Sequence, residues 1–430
     1  MTLDLIIRDA ILPDGRTGQD IGVAGGRIVA VEPKLAAEAR EELAAGGHLL
    51  SPPFVDPHFH MDATLSLGIP RVNRSGTLLE GIALWGELKP MLTHEAVVER
   101  ALRYCDLAVS HGLLAIRSHV DISDPRLVTV DALLDVRERV KSYIDLQLVA
   151  FPQDGYYRSP GAVDLLERAL DKGIEIVGGI PHFERTMEAG RQSVEALFRI
   201  AADRGLRIDI HCDETDDPLS RHVETMASEA LRFGLADRAT ASHTTSMHSM
   251  DNYYAAKLIA LIAESGMNII ANPLINITLQ GRMETYPKRR GLTRVPELLA
   301  AGVNVAFGQD CTMDPWYSLG SGDMLEVAHM GLHVAQMTSQ EAQRTCFEAV
   351  TTHGAQVMGL EGYGIAPGCR ADFVLLQAKS PSEAIRLRAT RLVVVRSGRV
   401  IARTPAREAS LFLDGRPPMV DAAAYAPKLG

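Results

Sequence analysis

The chain has 430 residues, 46% of them hydrophobic, and a formal net charge of −10 at pH 7. It is therefore long enough for one large domain and one smaller domain. The acidic balance and the scattered lysines and arginines argue against nucleic acid as a partner. No apolar stretch is long enough to cross a bilayer, so a membrane partner is not expected either.

Five cysteines are dispersed along the chain without Cys-x-x-Cys spacing, at Cys105, Cys212, Cys311, Cys346 and Cys369. This odd, scattered set fits free thiols in a reducing compartment better than it fits a disulfide framework. The first ten residues alternate like a strand and lack the basic and apolar segments of an export signal. We therefore expect a cytoplasmic protein.

Both ends of the chain show short strand patterns separated by glycine turns. Strands are predicted at residues 3–10, 20–24, 27–31, 371–377, 391–396 and 399–403. Because short hairpins need a partner sheet, we expect residues 1–50 and 365–430 to form one small β-sandwich domain. Residues 51–364 then form the second, larger domain.

Residues 51–364 show a different sequence pattern. Apolar, β-branched runs recur roughly every 30 residues, each followed by an amphipathic segment, which is typical of βα units on a parallel sheet. Apolar residues spaced three and four apart predict helices, for example at 161–172 and 191–204. Strands are predicted at residues 49–60, 113–120, 144–151, 174–181, 206–212, 239–243, 268–273 and 303–310. Eight such strands predict an α/β fold, a closed (β/α)8 TIM barrel.

Polar side chains follow nearly every predicted strand of this barrel. They are His58, His60, His119, Asp121, Gln153, His182, His211, Asp213, Glu214, His243, Asn272 and Asp310. In a (β/α)8 barrel the C-terminal ends of the strands carry the active site. The position of these side chains therefore predicts an enzyme, although His119, His182, His248 and Cys212 are interpreted as packing and hydrogen-bonding residues.

The strongest local signal is the pair His58 and His60. Alternate residues of a strand point to the same face, so both imidazoles can bind one metal ion. His211 and Asp310 bring the number of nitrogen and oxygen ligands to four and leave a position for water. A second ion is not expected, because residues 178–182 offer no lysine that modification could turn into a bridging ligand. The predicted cofactor is one divalent ion, Fe2+ or Zn2+, since both accept such ligands.

Glu214 and His243 are the candidate catalytic side chains beside the metal ligands. Glu214 lies three residues beyond His211, where its carboxylate can exchange protons with an activated water without binding the metal. His243 has two open roles. It can stabilise an oxyanion or hold the attacking hydroxide, or it can support Asp310 through a hydrogen bond.

Several segments resemble bacterial cytosine deaminase of the amidohydrolase superfamily, and the resemblance covers essentially the whole chain. The segments are His211-Cys-Asp-Glu214, Thr240-Ala-Ser-His243-Thr-Thr245, Val149-Ala-Phe-Pro-Gln153, Thr285-Tyr-Pro-Lys-Arg-Arg-Gly291, Asp314-Pro-Trp-Tyr317 and Ser75-Gly-Thr-Leu78. The resemblance implies an amidohydrolase-type barrel with a flanking β domain, a homo-oligomer, and hydrolytic deamination of a free nucleobase.

The same resemblance implies a role for each site residue. His58, His60, His211 and Asp310 would hold one Fe2+ or Zn2+, with Asp310 also passing a proton to the departing ammonia. Glu214 would shuttle protons, and His243 would steady the hydroxide. The substrate would be bound by Gln153 at the pyrimidine edge, by Leu78, and by Trp316, which can cover the ring face or serve as a core aromatic.

Cys311 departs from the pattern of the resembled family. Cytosine deaminases typically carry two successive acids at the end of strand eight, and here the second acid is replaced by Cys311. A small, nearly apolar thiol removes a charge and leaves room for a ring substituent. We therefore expect 5-methylcytosine to be a substrate beside cytosine, giving thymine or uracil and ammonia.

Two other functions stay open on the sequence alone. Another amino-heterocycle, such as isoguanine, a triazine or creatinine, would use the same barrel and ligands with different loops. A catalytically silent scaffold would also keep the barrel, but the intact ligand set and Glu214 argue against it.

Overall fold

The computed structural model describes residues 2–420. Within this range the strands form one eight-stranded sheet, two four-stranded sheets and a two-stranded ribbon. The predicted fold class is confirmed: an eight-stranded parallel (β/α)8 barrel with a small β domain. The domain limits, 1–50 with 365–430 against 51–364, stay a prediction, and residues 421–430 lie outside the described range.

The strands in chain order are β1 (Leu3–Ala10), β2 (Gln19–Ala24), β3 (Arg27–Pro33), β4 (Ala39–Ala44), β5 (Leu49–Ser51), β6 (Phe54–Phe59), β7 (Leu113–Asp121), β8 (Asp145–Phe151), β9 (Ile176–Gly179), β10 (Arg207–Cys212), β11 (Ala239–His243), β12 (Asn268–Ala271), β13 (Val305–Phe307), β14 (Phe373–Leu376), β15 (Arg391–Arg396), β16 (Arg399–Arg403), β17 (Ala409–Ser410) and β18 (Met419–Val420). Strands β6 to β13 run parallel in sequence order, which makes each strand the neighbour of the next.

The helices are α1 (Leu78–Leu88), α2 (His94–Ser110), α3 (Val128–Val140), α4 (Ala162–Asp171), α5 (Met187–Arg204), α6 (His222–Phe233), α7 (Asn252–Ser265), α8 (Pro273–Leu279), α9 (Val295–Ala300), α10 (Met324–Val334), α11 (Gln340–Ala349), α12 (Thr352–Met358) and α13 (Pro381–Leu387). Helix α5 begins four residues before the predicted start because the Thr186 side chain accepts a hydrogen bond from Ala189 N and caps it. Within residues 2–420, none of these helices has the length and apolar character needed to span a membrane.

The barrel closes between its first and last strands, β6 and β13. An isolated parallel bridge pairs Phe59 with Asp310 just beyond the end of β13. Asp310 N donates to His58 O at 2.9 Å, and His60 N donates to Asp310 O at 2.9 Å. This closure brings the His-x-His segment directly beside Asp310.

The predicted strand at residues 49–60 is wrong in one respect, because it is two strands. β5 pairs antiparallel with β14 in the β domain, whereas β6 pairs with β7 in the barrel. Pro52 and Pro53 separate the two strands, since proline has no N–H for a sheet hydrogen bond. A second difference is β4, a mostly charged strand that pairs parallel with β1 and lacked an apolar signal.

The two four-stranded sheets of the β domain enclose a common apolar core. Ile7 and Ile21 of the first sheet pack there with Phe373 and Val395 of the second, and all four side chains are buried. This domain is tied to the barrel by Asp145 at the start of β8, which pairs with Arg396 at 2.7 Å and with Arg370. Burial raises the pKa of Asp145, but hydrogen bonds from the two guanidinium groups outweigh burial and lower it overall.

We expect Asp145→Asn to lower the free energy of unfolding by about 1–3 kcal/mol, because a hydrogen-bonded charge is lost opposite the buried Arg396. Denaturant unfolding followed by circular dichroism measures the change. The matched control is Asp135→Asn, whose exposed pair with Arg139 on one helix is worth only about 0.3–0.5 kcal/mol. Equal losses for the two variants would contradict the stabilising role of Asp145.

Candidate active site

A cavity opens at the C-terminal ends of the barrel strands. The predicted site residues that line it are His60, Leu78, Gln153, His211, Glu214, Asp310, Cys311 and Trp316. His58 and His243 are almost fully buried at the bottom, in contact with the lining histidines. The structure therefore brings all ten predicted site residues to one place.

The four predicted metal ligands face one another in this place. His60 Nε2 lies 3.0 Å from His211 Nε2, and Asp310 Oδ1 lies 3.5 Å from His60 Nε2. His58 Nε2 is 3.7 Å from the same carboxylate oxygen, and the His58 and His211 ring centroids are 4.5 Å apart. The possible ligand atoms of His58, His60 and Asp310 all lie within 4.8 Å of one another, and so do those of His58, His211 and His243. Such spacing is compatible with the binding of one ion.

Burial keeps the histidines of this cluster neutral. It lowers the pKa of His58 and His211 well below 6.5, and neighbouring imidazoles add to the effect. The pKa of His60 is lowered to about 4 for the same main reason. A neutral imidazole carries a lone pair on one ring nitrogen, which is the form that binds metals.

The donor set fits a divalent cation. Three neutral imidazoles and one carboxylate converge, and His58 Nε2 is buried without a hydrogen-bond partner among the described residues. A buried polar atom without a partner is unfavourable unless something binds it. We infer that a cation would satisfy this atom together with His60, His211 and Asp310.

Glu214 and Asp310 are both carboxyl groups in a nearly dry environment. Burial raises the pKa of Glu214 to about 8, and burial together with Glu214 and Asp314 raises the pKa of Asp310 well above 3.8. His243 lies between them, with Nδ1 3.6 Å from Glu214 Oε1 and 3.7 Å from Asp310 Oδ2. The pKa values of Glu214 and Asp310 are raised in the metal-free protein. A bound cation would favour the ionised carboxylates.

His243 is held in place by side-chain amides and by an unusual backbone conformation. Asn276 Nδ2 donates to His243 Nδ1 at 2.9 Å, and Asn272 Nδ2 lies 3.3 Å from the same atom. The backbone φ of His243 is +70° and that of Asp310 is +68°, both in the left-handed region. Such strain in non-glycine residues recurs at functional sites, where the surrounding structure holds the residue in position.

The upper part of the cavity offers one polar group and several apolar ones. Gln153 lies at the C-terminal end of the third barrel strand with its side chain 6% exposed. Among the described residues no protein group is hydrogen-bonded to its side-chain amide, so its donor and acceptor are free for a ligand. Leu78 is the first residue of α1 and contributes apolar wall.

Trp316 is fixed against α1 on the other side of the cavity. A β-carbon at Gly81 would collide with its ring, so only glycine allows this approach. Trp85 packs against Trp316 with ring centroids 5.9 Å apart and donates from Nε1 to Asp121 Oδ2 at 2.7 Å. Trp316 is thus a packed aromatic that also lines the cavity, and its role in covering a substrate ring stays a prediction.

Cys311 is a neutral thiol beside Asp310. Its Sγ lies 3.5 Å from Asp310 Oδ1, and its side chain is 3% exposed. Burial and the acids Asp314 and Asp310 raise the pKa of the thiol well above 9. The cavity wall at this position therefore carries no charge.

Sequence reasoning missed several residues of the cavity and its support. Ile82, Ile180, Phe183, Ile275 and Leu279 line it, and His182, interpreted as structural, lines it too. His182 did follow a predicted strand, and that signal could have identified it. Asn276 gave no signal, because it lies inside α8 and not at the end of a strand.

Comparisons with known proteins agree with this geometry. Residues 41–402 match the Amidohydrolase family. A solved structure of 5-methylcytosine deaminase from Klebsiella pneumoniae, liganded with 5-fluorocytosine, is 41% identical with a TM-score of 0.91, covering 94% of this chain and 98% of that one. Pterin deaminase of Rhizobium rhizogenes is 32% identical over 399 residues, 91% of this chain and 89% of the relative. N-isopropylammelide isopropyl amidohydrolase of Pseudomonas sp. (strain ADP) is 30% identical over 410 residues, 93% of this chain and 97% of the relative.

We expect His211→Asn to weaken the binding of Zn2+ or Fe2+ by more than about 100-fold. Loss of a residue that only hydrogen-bonds to a metal ligand weakens binding by up to about 100-fold, and loss of the ligand itself should cost more. Titration of the metal-free protein with Zn2+ against a competing chelator measures the affinity. His353→Asn is the matched control, because His353 bonds Val305 O away from the cavity. Unchanged affinity in His211→Asn would remove His211 from the ligand set.

Proposed function

The chain belongs to the Amidohydrolase family, and on this premise we propose that it is a hydrolytic deaminase of free pyrimidine bases, namely cytosine and 5-methylcytosine. One observation carries the proposal: Glu214 shares a small cavity with the unpaired amide of Gln153 and with three proposed cation ligands, His60, His211 and Asp310. These three residues and His58 are called the cation-binding cluster below. The similarity to a 5-methylcytosine deaminase over most of both chains supports it. A homo-oligomer and a cytoplasmic location stay predictions.

The reaction replaces the amino group of the ring with oxygen. A divalent cation at His58, His60, His211 and Asp310 would supply Lewis-acid activation of water near neutral pH. The water oxygen adds to the amino-bearing carbon, and the amino group leaves as ammonia, so that C–NH2 becomes C=O. Both steps require protons to move between water, ring and leaving group.

Glu214 is the group that moves these protons. It takes a proton from the attacking water and delivers it to the ring nitrogen next to the carbon under attack. Its buried position raises its pKa to about 8 in the metal-free protein, and a group that titrates near neutral pH both accepts and donates protons efficiently. Asp310 helps pass a proton to the departing ammonia, and His243 stabilises charge on the attacking oxygen.

The cavity recognises a flat, amino-substituted ring. Gln153 offers one donor and one acceptor to a ring edge that presents both. Trp316 and Leu78 cover the ring with apolar surface, which favours a planar aromatic ligand. Within residues 2–420 no lysine or arginine lines this cavity, so recognition of a phosphate is not part of the proposal.

Cys311 supports 5-methylcytosine as a substrate. The neutral thiol stands where the resembled cytosine deaminases carry a second acid, and the cavity wall beside Asp310 is therefore small and uncharged. A methyl group gains about 1–3 kcal/mol in a pocket that fits it. The methylated base is therefore a substrate alongside cytosine and a candidate for the preferred one.

The alternative function is deamination of another amino-heterocycle. It is favoured by the relatives, whose names refer to a substituted triazine and to pterin. Ammonia release from cytosine, 5-methylcytosine, isoguanine, an amino-triazine and creatinine, with metal content measured in the same preparation, separates the two functions. Turnover of a triazine or isoguanine alone would replace the proposed substrate, and no turnover by the metal-loaded protein would reject a deaminase.

We expect Glu214→Gln to lower kcat by about 10²–10⁴-fold with bound metal retained, because proton transfer by a positioned side chain contributes that much. Steady-state ammonia release and elemental analysis measure the two quantities. Glu229→Gln is the control, a buried glutamate on α6 that pairs with Arg232 outside the cavity. A Glu214→Gln enzyme with normal kcat would show that Glu214 does not shuttle protons.

We expect Cys311→Asp to lower the ratio of kcat/KM for 5-methylcytosine to kcat/KM for cytosine by at least about tenfold, because a charged group replaces a methyl-tolerant wall. Cys311→Asn tests size without charge, and Cys311→Ser should keep the ratio close to that of the unaltered enzyme. Strong discrimination against the methylated base that is unchanged in Cys311→Asp would contradict this role of Cys311.

A further inference from the structure

Four buried polar side chains, Arg117, Asp209, Ser242 and His58, are hydrogen-bonded in a row across the barrel interior. This row is called the file below, and it ends on the ligand His58. Arg117 Nη1 donates to Asp209 Oδ2 at 2.9 Å. Ser242 Oγ donates to Asp209 Oδ1 at 2.7 Å, and His58 Nδ1 lies 2.9 Å from Ser242 Oγ. Each of the four side chains is at most 1% exposed. None of the residues Arg117, Asp209 and Ser242 lines the cavity.

The strands of the barrel place this file directly behind the ligands. Arg117 lies on β7, Asp209 on β10 and Ser242 on β11. Asp209 is two residues before His211, so both side chains point into the barrel, one layer apart. Ser242 pairs in register with His211 on the neighbouring strand. The file therefore contacts the cation-binding cluster from below.

The donors of the file fix the direction of each hydrogen bond. Arg117 has only N–H donors and occupies Asp209 Oδ2, while the other carboxyl oxygen, Asp209 Oδ1, accepts from Ser242 Oγ. The Ser242 hydroxyl thus donates its single hydrogen to Asp209. Its oxygen is left as an acceptor, and the hydrogen between Ser242 and His58 belongs to His58 Nδ1.

A neutral imidazole that carries its hydrogen on Nδ1 has its lone pair on Nε2. His58 Nε2 is the atom that faces Asp310 and has no hydrogen-bond partner among the described residues. The other tautomer would direct an N–H into the cation-binding cluster and leave Nδ1 without a hydrogen to share with Ser242. The file thus selects the form of His58 that binds a metal.

We propose that Arg117, Asp209 and Ser242 are positioning residues that hold His58 as its Nδ1–H tautomer and thereby set the affinity of the site for a divalent cation. The inference rests on the cation site of the proposed function, but not on the identity of the substrate. A buried ion pair and its hydrogen bonds would only stabilise the barrel. The role assigned to Arg117, Asp209 and Ser242 goes further, because it concerns the affinity for a cation.

A purely structural role is the competing explanation for these residues. Arg117 also donates to Val357 O at 2.9 Å and so ties α12 to the barrel floor. Loss of Arg117 or Asp209 would leave a buried charge without its partner, and either variant could fail to fold. Ser242→Ala removes one hydroxyl, keeps the ion pair, and separates the two explanations.

The test compares metal-free Ser242→Ala with metal-free Ser193→Ala. Ser193 is an equally buried serine on α5 that donates to Gly190 O outside the barrel interior. We expect Ser242→Ala to bind Co2+ or Zn2+ about 10–100-fold more weakly, measured against a competing chelator, as for other partners of metal-bound histidines. The visible absorption spectrum of the Co2+ protein should change as well, because His58 is free to rotate. Ser193→Ala should show neither effect.

A second measurement needs no change at Ser242. Long-range ¹H–¹⁵N correlation of the metal-free protein with ¹⁵N-labelled histidine reports which ring nitrogen carries hydrogen, and loss of one signal set in His58→Asn assigns His58. We expect Nδ1 to be protonated and Nε2 unprotonated. A protonated Nε2 would overturn the inference.

The outcomes keep this inference apart from the proposed function. Unchanged cation affinity and an unchanged Co2+ spectrum in folded Ser242→Ala would overturn the inference, whatever the enzyme deaminates. Wild-type protein that binds no divalent cation would overturn it too. Wild-type protein that binds the cation with the expected Ser242 dependence but releases no ammonia would support the inference while the proposed function fails.

Discussion

The site depends on how the first and eighth strands meet. Main-chain hydrogen bonds from Asp310 to His58 and from His60 to Asp310 close the barrel at that seam. The same bonds place a carboxylate beside two imidazoles that alternation along a strand had already put on one face. The hydrogen bonds that close the barrel therefore also bring Asp310 beside His58 and His60. The contribution of His211 follows, because a closed barrel directs the fifth strand at the same centre.

Burial gives this cluster its chemical character. Burial lowers the pKa of His58 and raises the pKa of Glu214 and Asp310, which are the opposite shifts expected for a base and for acids away from water. A divalent cation compensates both effects, since it binds neutral imidazole and favours ionised carboxylate. His243 and Asp310 both have a left-handed backbone, so the surrounding barrel holds two strained residues within the candidate site.

The predicted cation ligands and the residues predicted to face a substrate ring come from different elements. The predicted cation ligands lie at strand ends, whose positions are fixed by sheet hydrogen bonds. Leu78, Cys311 and Trp316, which line the cavity, lie on α1 and on the segment after the eighth strand, where the chain can change without opening the barrel. This separation accounts for the similarity of the chain to proteins named for N-isopropylammelide, pterin and 5-methylcytosine.

Local pattern was enough to predict the barrel and to select His58, His60, Glu214 and Asp310, because strand alternation, helix periodicity and polar strand ends are encoded by neighbouring residues. It was not enough for the break at Pro52, where one apolar run serves two sheets. The buried partners of His58, the amides around His243 and the glycine that admits Trp316 were decided by tertiary structure alone. Each depends on contacts between residues far apart in sequence, and such contacts exist only once closure and register bring distant strands and helices together.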